Sequence, residues 1–580
     1  MTVTHGADAI LMAVVQERLL AVAEDIGHIL IRGAFSSNIK ERRDCSTAIF
    51  DAAGRLVAQA DHMPIHIGSL LWGVRALIAQ NRAGSMQEGD AFVLNDPYLA
   101  GGTHLPDISV ITPVFVNGAP RYYVGNIAHH ADVGGPVPGS VSGRSASIFA
   151  EGIRIPPIRI ARGGVVDEDV VGLIAHNTRE PLERTLDLKT QVGANARGAG
   201  LLKEVVAETG ADALDRAIDR LIEASATRIR SVLAELPDGT YRALRHLDDD
   251  GAGSDPVPLA VAATIDGERL TLDLTGSGPE AKGAVNLSAS SLEATVAYAV
   301  KALLDPGVAA NSGLIEAVKV VAPEGTIVNP RPPAAVAARA VTSNRLAGAI
   351  FDALGQALPA ERQMAASNDS TSLIVLTGRD PRTGSTYVYP ESTGGGAGAF
   401  CDADGMDAVH VHTVNSTNLP VEVLEAEYPL RCETYGLGED TGGAGQSRGG
   451  LGIVREIRTL SGDTALTVRS DGHIFPAPGA AGGKAGSTTR ITHIAADGTV
   501  RELASKTSLT LQEGDRVRIE TLGGGGHGPP HKRTDAAIKA DLEDGVVSLE
   551  AARTAYGAQR VDALKTAAPS RPSGSHRAPT

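Results

Sequence analysis

The sequence has little cysteine, few aromatic residues and no long apolar run. Its three cysteines, Cys45, Cys401 and Cys432, lie far apart and form no C-x-x-C pair, so neither a disulfide framework nor a thiolate zinc site is indicated. No stretch approaches the ~18 uninterrupted apolar residues of a membrane helix. The N-terminus also lacks the basic region and the cleavage site of a signal peptide. We therefore expect a cytoplasmic protein without a membrane partner.

An excess of positive charge is also missing. The formal net charge is −15, and no cluster of Lys and Arg is interleaved with aromatic residues, so a nucleic-acid partner is not expected. Because aromatic residues make up only 3% of the chain, the core must be built from aliphatic side chains. The 67 glycines imply tight turns and close backbone approaches, which favours a loop-rich enzyme over a simple helical bundle.

Hydrophobic periodicity predicts an α+β fold that is multi-lobed, with mixed sheets, glycine-rich loops and a helical C-terminal segment. Helical spacing covers residues 7–35, 167–236, 291–304 and 338–358, and a hairpin turns at residues 51–54. The predicted divisions are an N-terminal α+β region with the metal site (1–240), a central α+β region (241–360), a glycine-rich, strand-dominated region (361–532), a C-terminal helical segment (533–566) and a disordered tail (567–580).

Two clusters of histidine and carboxylate residues carry the strongest chemical signal. His104 and Asp107 lie in GGTHLPD, and His129, His130 and Asp132 lie in GNIAHHADVGG. Imidazole nitrogens with a carboxylate oxygen suit zinc, manganese or iron, and three protein ligands leave a position open for water or substrate. The clusters predict a catalytic metal site. Loop side chains that cap backbone groups are the plainer explanation of an isolated H-x-x-D.

Two adjacent strands would bring these clusters together. The apolar stretches 108–116 and 122–127 lie between the clusters and are typical of neighbouring strands. An extended chain points the adjacent residues His129 and His130 to opposite faces, so only one of them readily joins the site. The other is left for a supporting or proton-transfer role.

Other histidines are weaker candidates. His62 and His66 have the i,i+4 spacing of a zincin, but Pro64 between them disfavours the helix that would align them. We expect these two histidines to line a loop. His410 and His412 alternate as on a strand, where hydrogen-bonded wall residues are expected.

Polar residues elsewhere predict structural roles. Asp44 lies among Glu41, Arg42 and Arg43, which indicates a surface ion-pair network of little energetic weight. The segment 95–97, Asn-Asp-Pro, predicts an Asx-type turn.

Two familiar motifs are present only in part. GAAGGKAG resembles a phosphate loop, but Pro478 and Ala485 stand where that motif needs Gly and Ser or Thr. GQSRG has the letters of a serine-hydrolase elbow, yet the residues after it predict a strand where the elbow needs a helix. Ser447 is therefore expected to be a loop residue, and the chain is expected to lack an ATP site of its own.

Seven stretches that run nearly from end to end resemble the hydantoinase B/oxoprolinase family. They are ERRDCSTAIFDAAGRLVAQADHMPIHIGS, GDAFVLNDPYLAGGTHLPD, VGNIAHHADVGG, PEGTIVNPRPPAAV, ESTGGGAGAF, HTVNSTNLPVEVLEAEYPL and TLGGGGHGPP. The family contains the B subunits of ATP-dependent N-methylhydantoinases, the matching half of 5-oxoprolinases, and the alpha-type subunits of acetone and acetophenone carboxylases. Its members work with a hydantoinase A-type subunit of actin-like ATPase fold.

The resemblance implies a division of labour in a hetero-oligomer. The ATPase subunit would spend ATP to phosphorylate an amide or carbonyl oxygen of the substrate, and this chain would complete the reaction. In the carboxylase branch the metal is held by a His-x-x-Asp pair and a later His, which correspond here to His104, Asp107 and His129. His130 and Asp132 continue the motif. Together with His66 these two are candidates for proton transfer.

Three functions fit the sequence. The first is hydrolytic opening of a cyclic amide or imide, where the metal lowers the pKa of a water that attacks the phosphorylated substrate. The second is an acetone- or acetophenone-type carboxylase, where the same metal holds an enolate while carbon dioxide adds. The third is a noncatalytic scaffold for the ATPase subunit. We predict hydrolysis because two-subunit hydantoinases and oxoprolinases are the broader class.

Overall fold

Helices and strands alternate along most of the chain in a computed structural model that describes residues 2–80, 82–253 and 255–566. Within these residues there are twelve α-helices, and twenty strands form four sheets. The predicted α+β class with several sheets is therefore confirmed. The predicted tail at 567–580 lies outside the described residues. The division into domains stays a prediction.

The first sheet has seven antiparallel strands. They are β1 (Cys45–Asp51), β2 (Leu56–Gln59), β3 (Ala91–Leu94), β4 (Asp107–Val116), β5 (Ala119–His129), β6 (Ile158–Arg162) and β7 (Val165–Val166). Their spatial order is β2-β1-β5-β4-β3-β6-β7. The hairpin of β1 and β2 turns where it was predicted, because Gly54 adopts φ +75° and the Asp51 carboxylate accepts the Ala53 N–H.

Six helices belong to this part of the chain. They are α1 (Thr2–Gly33), α2 (Ser37–Lys40), α3 (His66–Ala79), α4 (Glu168–His176), α5 (Pro181–Thr209) and α6 (Ala211–Glu235). Helices α1, α5 and α6 bury aliphatic side chains such as Leu19, Leu202 and Ile218 against one face of the sheet. Helix α3 packs Leu70 and Val74 on the other face. The central strands are therefore buried on both faces, and β1 is buried along its whole length.

The central part of the chain forms a four-stranded sheet with two helices. Its elements are β8 (Gly239–Leu247), β9 (Val257–Asp266), β10 (Arg269–Asp273), α7 (Ala289–Leu304), β11 (Val318–Val321) and α8 (Arg339–Gly355). The strand order is β11-β10-β9-β8. Alternate residues of β9 are fully buried, as expected for a sheet with one covered face. Helix α8 is buried over most of its length and begins beside the first sheet.

The last two sheets pack against each other. Their elements are β12 (Ser372–Arg379), β13 (Thr386–Thr393), α9 (Val421–Glu427), β14 (Leu430–Leu437), β15 (Ile453–Thr459), β16 (Thr464–Arg469), β17 (Arg490–Ile494), β18 (Val500–Glu502), β19 (Lys506–Leu511) and β20 (Arg516–Glu520). The orders are β13-β12-β16-β19 and β14-β15-β20-β17-β18. Ile374 and Leu466 from one sheet share a core with Ile457 and Val517 from the other.

Three short helices end the described chain. They are α10 (Asp535–Asp544), α11 (Leu549–Tyr556) and α12 (Ala558–Thr566). The side chains of Thr534 and Ser548 cap α10 and α11 by accepting N–H groups of the first turn. The predicted C-terminal helical segment is thus confirmed.

Four glycine-rich runs, at residues 392–400, 440–452, 477–486 and 521–530, are largely irregular, as predicted. Most residues of the first, second and fourth runs are buried. Their extended backbones pack side by side and exchange hydrogen bonds. Gly524 N–H donates to the Gly450 carbonyl, Gly450 N–H to Ala397, and Gly443 N–H to Gly524. A Cβ on Gly524 would lie 1.9 Å from the Ala397 carbonyl oxygen. Glycine is required here because backbones approach too closely for any side chain.

The strand predicted at His410 and His412 is wrong. Val409 makes an isolated bridge with Gly395, but His412 has φ +56°, which breaks the extended conformation. The hydrogen-bonded wall residue is found only at His412, whose Nε2 lies 2.6 Å from an Asp369 oxygen. Neither ring nitrogen of His410 has a hydrogen-bond partner among the described residues.

None of the helices in the described part of the chain combines the length and the hydropathy that crossing a bilayer requires.

The packing of the glycine segments predicts that Gly524→Ala destabilises the protein. The added methyl group would overlap backbone atoms that cannot rotate away, so we expect the free energy of unfolding to fall by about 1–3 kcal/mol or more. Denaturant unfolding measures the change. Gly436→Ala is the matched control, because a Cβ on this exposed strand residue meets nothing within 4 Å. Equal midpoints for the two variants would contradict the packing argument.

Candidate metal centre

The pairing of β4 with β5 positions two of the predicted metal ligands. Asp107 opens β4, His129 ends β5, and the two residues are direct cross-strand partners, so the predicted pairing of neighbouring strands is confirmed. His104 lies in the loop before β4. Asn95 holds this loop in place, because its side-chain amide donates to the Leu105 carbonyl and its backbone carbonyl passes so close to Gly102 that a Cβ there would lie 1.9 Å away.

The three side chains direct one ligand atom each toward a common point. His104 Nε2 lies 3.1 Å from His129 Nδ1 and 3.2 Å from Asp107 Oδ1, and His129 Nδ1 lies 3.0 Å from the same oxygen. Ligand atoms about 2.1 Å from a tetrahedral ion are about 3.4 Å apart. The triangle therefore has nearly the dimensions of one face of a metal coordination shell, and its atoms form a possible ion site.

The protonation state of His104 shows why a cation fits this triangle. Its Nδ1 lies 2.9 Å from the Ala337 carbonyl oxygen, which can only accept, so Nδ1 carries the hydrogen. Burial and the Arg339 guanidinium lower the pKa of His104 to about 3, so the ring is neutral. His104 Nε2 therefore presents a lone pair to a carboxylate oxygen. Two acceptors at this distance repel each other unless a positive ion lies between them.

Arg339 fixes the second oxygen of Asp107. Its Nη2 donates to Asp107 Oδ2 at 2.7 Å, and the Thr103 hydroxyl donates to the same oxygen. Burial alone would raise the pKa of Asp107, but the charged and polar groups around it, the Arg339 guanidinium among them, hold that pKa well below its usual range. The carboxylate is thus ionised and oriented with Oδ1 toward the histidines.

His66 lies at the cluster and not in a loop. As expected from Pro64, no helix runs through both His62 and His66, but His66 is the first residue of α3 and is almost fully buried. Its Nε2 lies 3.6 Å from Asp107 Oδ2 and its Nδ1 lies 3.1 Å from the Ser46 hydroxyl. The structure therefore brings His66 to the three metal-type ligands.

His130 and Asp132 point elsewhere. His130 Nε2 lies 3.0 Å from the Gln191 side-chain oxygen, on the side of the strand away from the cluster. Asp132 accepts the backbone N–H groups of Gly134 and Gly139 and pairs with Arg179 at 2.7 Å. Both carboxylate oxygens of Asp132 are occupied by these contacts. A proton-transfer role for these two residues stays a prediction.

The surface ion-pair network predicted at Asp44 is wrong. Arg43 adopts φ +54° and turns the chain, so that Arg42 is buried against the Pro390 carbonyl. Asp44 Oδ1 faces inward, 3.7 Å from His66 Nε2, and has no hydrogen-bond partner among the described residues. Asp44 therefore belongs to the walls of the site. The Asx-type turn is present, since Asp96 accepts two N–H groups that follow it.

A small cavity of about 40 Å³ opens onto this cluster. Its polar lining includes His66, His129, Asp44, Arg42, Arg339 and Arg469. Sequence reasoning missed the last two. Each is a single arginine in an ordinary helical or strand context, and no spacing in one sequence connects residues that are so far apart along the chain.

The partly matched motifs behave as expected. Ser447 lies in an irregular segment, and the next regular element is the strand β15, so the helix of a serine-hydrolase elbow does not follow it. Lys484 lies in the irregular segment between β16 and β17, where a phosphate loop would need a helix after it.

Known proteins match this chain over more than nine-tenths of its length. A family model described as Hydantoinase B/oxoprolinase matches residues 8–530. The B subunit of a putative D-/L-hydantoinase from Pseudomonas sp. is 31% identical over 96% of this chain and 96% of its own. The 5-oxoprolinase PfmaA of Pestalotiopsis fici is 33% identical over 92% of this chain. This chain spans only 42% of that longer relative.

Two solved structures share the fold. The ATP-dependent caprolactamase of Pseudomonas jessenii matches with a TM-score of 0.87 and 30% identity, over 96% of this chain and 99% of the other. The nucleotide-free structure of an acetone carboxylase matches with a TM-score of 0.88 over 96% of this chain and 82% of the other. Its identity is 20%, so that likeness concerns the fold alone.

Glu151 supports the loop that orients His104. Its Oε1 accepts the N–H groups of Val336 and Ala337, and the Ala337 carbonyl in turn accepts from His104. Burial raises the pKa of Glu151 from 4.5 to about 8, although those two N–H groups oppose the rise. The folded protein therefore binds a proton at Glu151 more tightly than the unfolded chain does.

This raised pKa predicts a loss of stability in mild alkali. The stabilising contribution of the protonated carboxyl is complete below pH 4.5 and is lost as the pH rises through about 8. Melting temperatures between about pH 5 and pH 9 should fall more steeply for the wild type than for Glu151→Gln, which stays neutral. Glu316→Gln, at an exposed position, should follow the wild type. Parallel curves for Glu151→Gln and the wild type would refute this assignment.

Proposed function

The chain belongs to the hydantoinase B/oxoprolinase family, and on that premise we propose that it is the B-type subunit of an ATP-dependent hydrolase of cyclic amides. In this reaction the oxygen of one water joins the carbon that bears the phosphorylated oxygen, the ring C–N bond breaks, and the released nitrogen takes up a proton, which leaves an acyl phosphate. A second water then hydrolyses the acyl phosphate to a carboxylate and inorganic phosphate. A separate A-type ATPase subunit would first phosphorylate the amide oxygen. The proposed assembly is therefore a hetero-oligomer.

The convergence of His104, Asp107 and His129 carries this proposal. Two imidazole nitrogens and one carboxylate oxygen, mutually 3.0–3.2 Å apart, would hold a zinc, manganese or iron ion. When bound, such an ion supplies Lewis acidity and lowers the pKa of a coordinated water toward neutrality. Asp107 contributes a full negative charge because Arg339 keeps it ionised and oriented.

In this proposal His66 moves the proton during hydrolysis. Its Nε2 faces the cluster from the start of α3, while the Ser46 hydroxyl contacts its Nδ1 and fixes the ring. In this position His66 can accept a proton from the attacking water and return it to the ring nitrogen as the C–N bond breaks. Asp44, with an unpartnered oxygen 3.7 Å from His66, would stabilise the protonated ring.

One experiment distinguishes the proposed hydrolase from two other functions, a carboxylase and a noncatalytic scaffold. A carboxylase would use the same ligands to hold an enolate, and a scaffold would need no ion at all. The names of the relatives at 30% identity or more, a hydantoinase, a 5-oxoprolinase and a caprolactamase, favour hydrolysis of a cyclic amide. Cytoplasmic location stays a prediction.

The metal proposal predicts that the purified complex with its A-type subunit holds a stoichiometric divalent ion. We expect His104→Ala/His129→Ala to lose the ion by elemental analysis and to reduce ATP-dependent ring opening to background, because two of the three ligand atoms disappear. His176→Ala, an exposed histidine at the end of α4, should retain both properties.

The substrates in this assay separate the three functions. Ring opening of hydantoin, 5-oxoproline or caprolactam without bicarbonate supports hydrolysis. Bicarbonate-dependent turnover of acetone would replace it with the carboxylase function. A complex without a divalent ion, fully active with both histidines replaced, would establish the scaffold function.

The position of His66 predicts that His66→Gln separates catalysis from metal binding. We expect kcat for ring opening to fall by about 10²–10⁴-fold, which is typical for loss of a general acid or base, while elemental analysis finds the ion retained. His130→Gln is the matched comparison and should cost stability more than turnover. A larger loss of kcat in His130→Gln than in His66→Gln would assign proton transfer to His130.

A further inference from the structure

Two buried arginines in the cavity beside the cluster have no carboxylate oxygen within 4 Å among the residues that the structure describes. Nine arginines are buried among the described residues, and seven of them have a carboxylate oxygen within 4 Å; these are Arg184, Arg245, Arg339, Arg345, Arg448, Arg455 and Arg533. The other two, Arg42 and Arg469, both line this cavity. A buried charge without a partner costs folding free energy, so their shared location requires a reason.

The guanidinium groups have free donors. No side-chain hydrogen bond of Arg469 exists within the described residues, and its Nε is fully buried without a partner. Arg42 donates from Nη1 to the Pro390 carbonyl and to Asn38, but its Nε and Nη2 are unpartnered. The Nε of Arg339 is also free. Three arginines thus offer unused N–H groups around one cavity.

The net charge around the cavity also favours an anion as the ligand. Three guanidinium groups, from Arg42, Arg339 and Arg469, face two carboxylates, Asp44 and Asp107. This leaves a positive excess, and a divalent ion at the cluster would increase it. A guanidinium fork matches the oxygen geometry of phosphate and binds it through parallel N–H donors.

We propose that Arg42, Arg339 and Arg469 form an anion site that binds the phosphoryl group of the activated substrate next to the metal ligands. The identity of the anion rests on the proposed function, whereas the site itself rests on the unpartnered arginines. This site would place the carbon that bears the phosphorylated oxygen near His66 and the cluster, because the three arginines, His66 and His129 line one small cavity. The inorganic phosphate released by hydrolysis would bind to the same donors.

Titration of the full chain, stripped of metal, with inorganic phosphate at low ionic strength tests the site. We expect calorimetric binding to the wild type and about 10- to 100-fold weaker binding to Arg469→Met, since charge-assisted hydrogen bonds are lost. Arg501→Gln, an exposed arginine of β18, should bind like the wild type. Unchanged binding in Arg469→Met overturns the proposal, as does acetate binding as tightly as phosphate.

Stability separates a binding role from a structural one. Methionine removes a buried, unpaired charge at similar volume, so the melting temperature of Arg469→Met should stay or rise. Phosphate should raise the melting temperature of the wild type only. A lower melting temperature with intact phosphate binding identifies a structural arginine and overturns the proposal. If Arg469→Met does not fold, Arg469→Lys replaces it: weaker phosphate binding supports the site, and equal binding overturns it.

Turnover of the assembled complex distinguishes this inference from the proposed function. A chain that binds phosphate through Arg469, in a complex that opens no cyclic amide, would keep the anion site and refute the hydrolase. A complex that opens cyclic amides at the wild-type rate with Arg469→Met would keep the hydrolase and refute the anion site.

Discussion

The close approach of the His104 lone pair to an Asp107 carboxylate oxygen is the constraint on which the site depends. The fold holds these two acceptors 3.2 Å apart and prevents the simplest relief, rotation of either group. Ala337 fixes the hydrogen of His104 on Nδ1, and Arg339 anchors the far oxygen of Asp107. Because neither group can rotate away from the other, a cation between them stabilises an arrangement that is otherwise repulsive.

Both anchors come from one short segment at the start of α8, and this segment couples the first sheet to the central part of the chain. Glu151 holds the same segment through the N–H groups of Val336 and Ala337. The ligands themselves come from two neighbouring strands and the loop before one of them. Their orientation needs residues more than 200 positions away, which explains why a buried helix begins beside the sheet that carries the cluster.

The local parts of the site could be predicted from the sequence. Adjacent apolar stretches predicted the pairing that makes Asp107 and His129 cross-strand partners, since short-range alternation and turn chemistry are visible in one sequence. Asp44 was misassigned, because its neighbours suggested surface pairing whereas a positive φ at Arg43 turns it inward. Arg469 gave no signal at all. Which distant strand faces a cavity is decided by tertiary packing, and a single sequence does not encode that contact in any spacing.

The metal-type ligands and the other residues around this cavity differ in how readily they can be substituted. The three ligand atoms come from 104–129 and depend on each other at distances near 3 Å, so the loss of one destroys the set. Another part of the lining, which includes Leu373, Pro390 and Ser392, belongs to strands β12 and β13 and can change without moving a ligand. A change in that part of the lining alters the shape and charge that a substrate meets. Specificity can therefore diverge within one fold while the chemistry at the cluster stays the same.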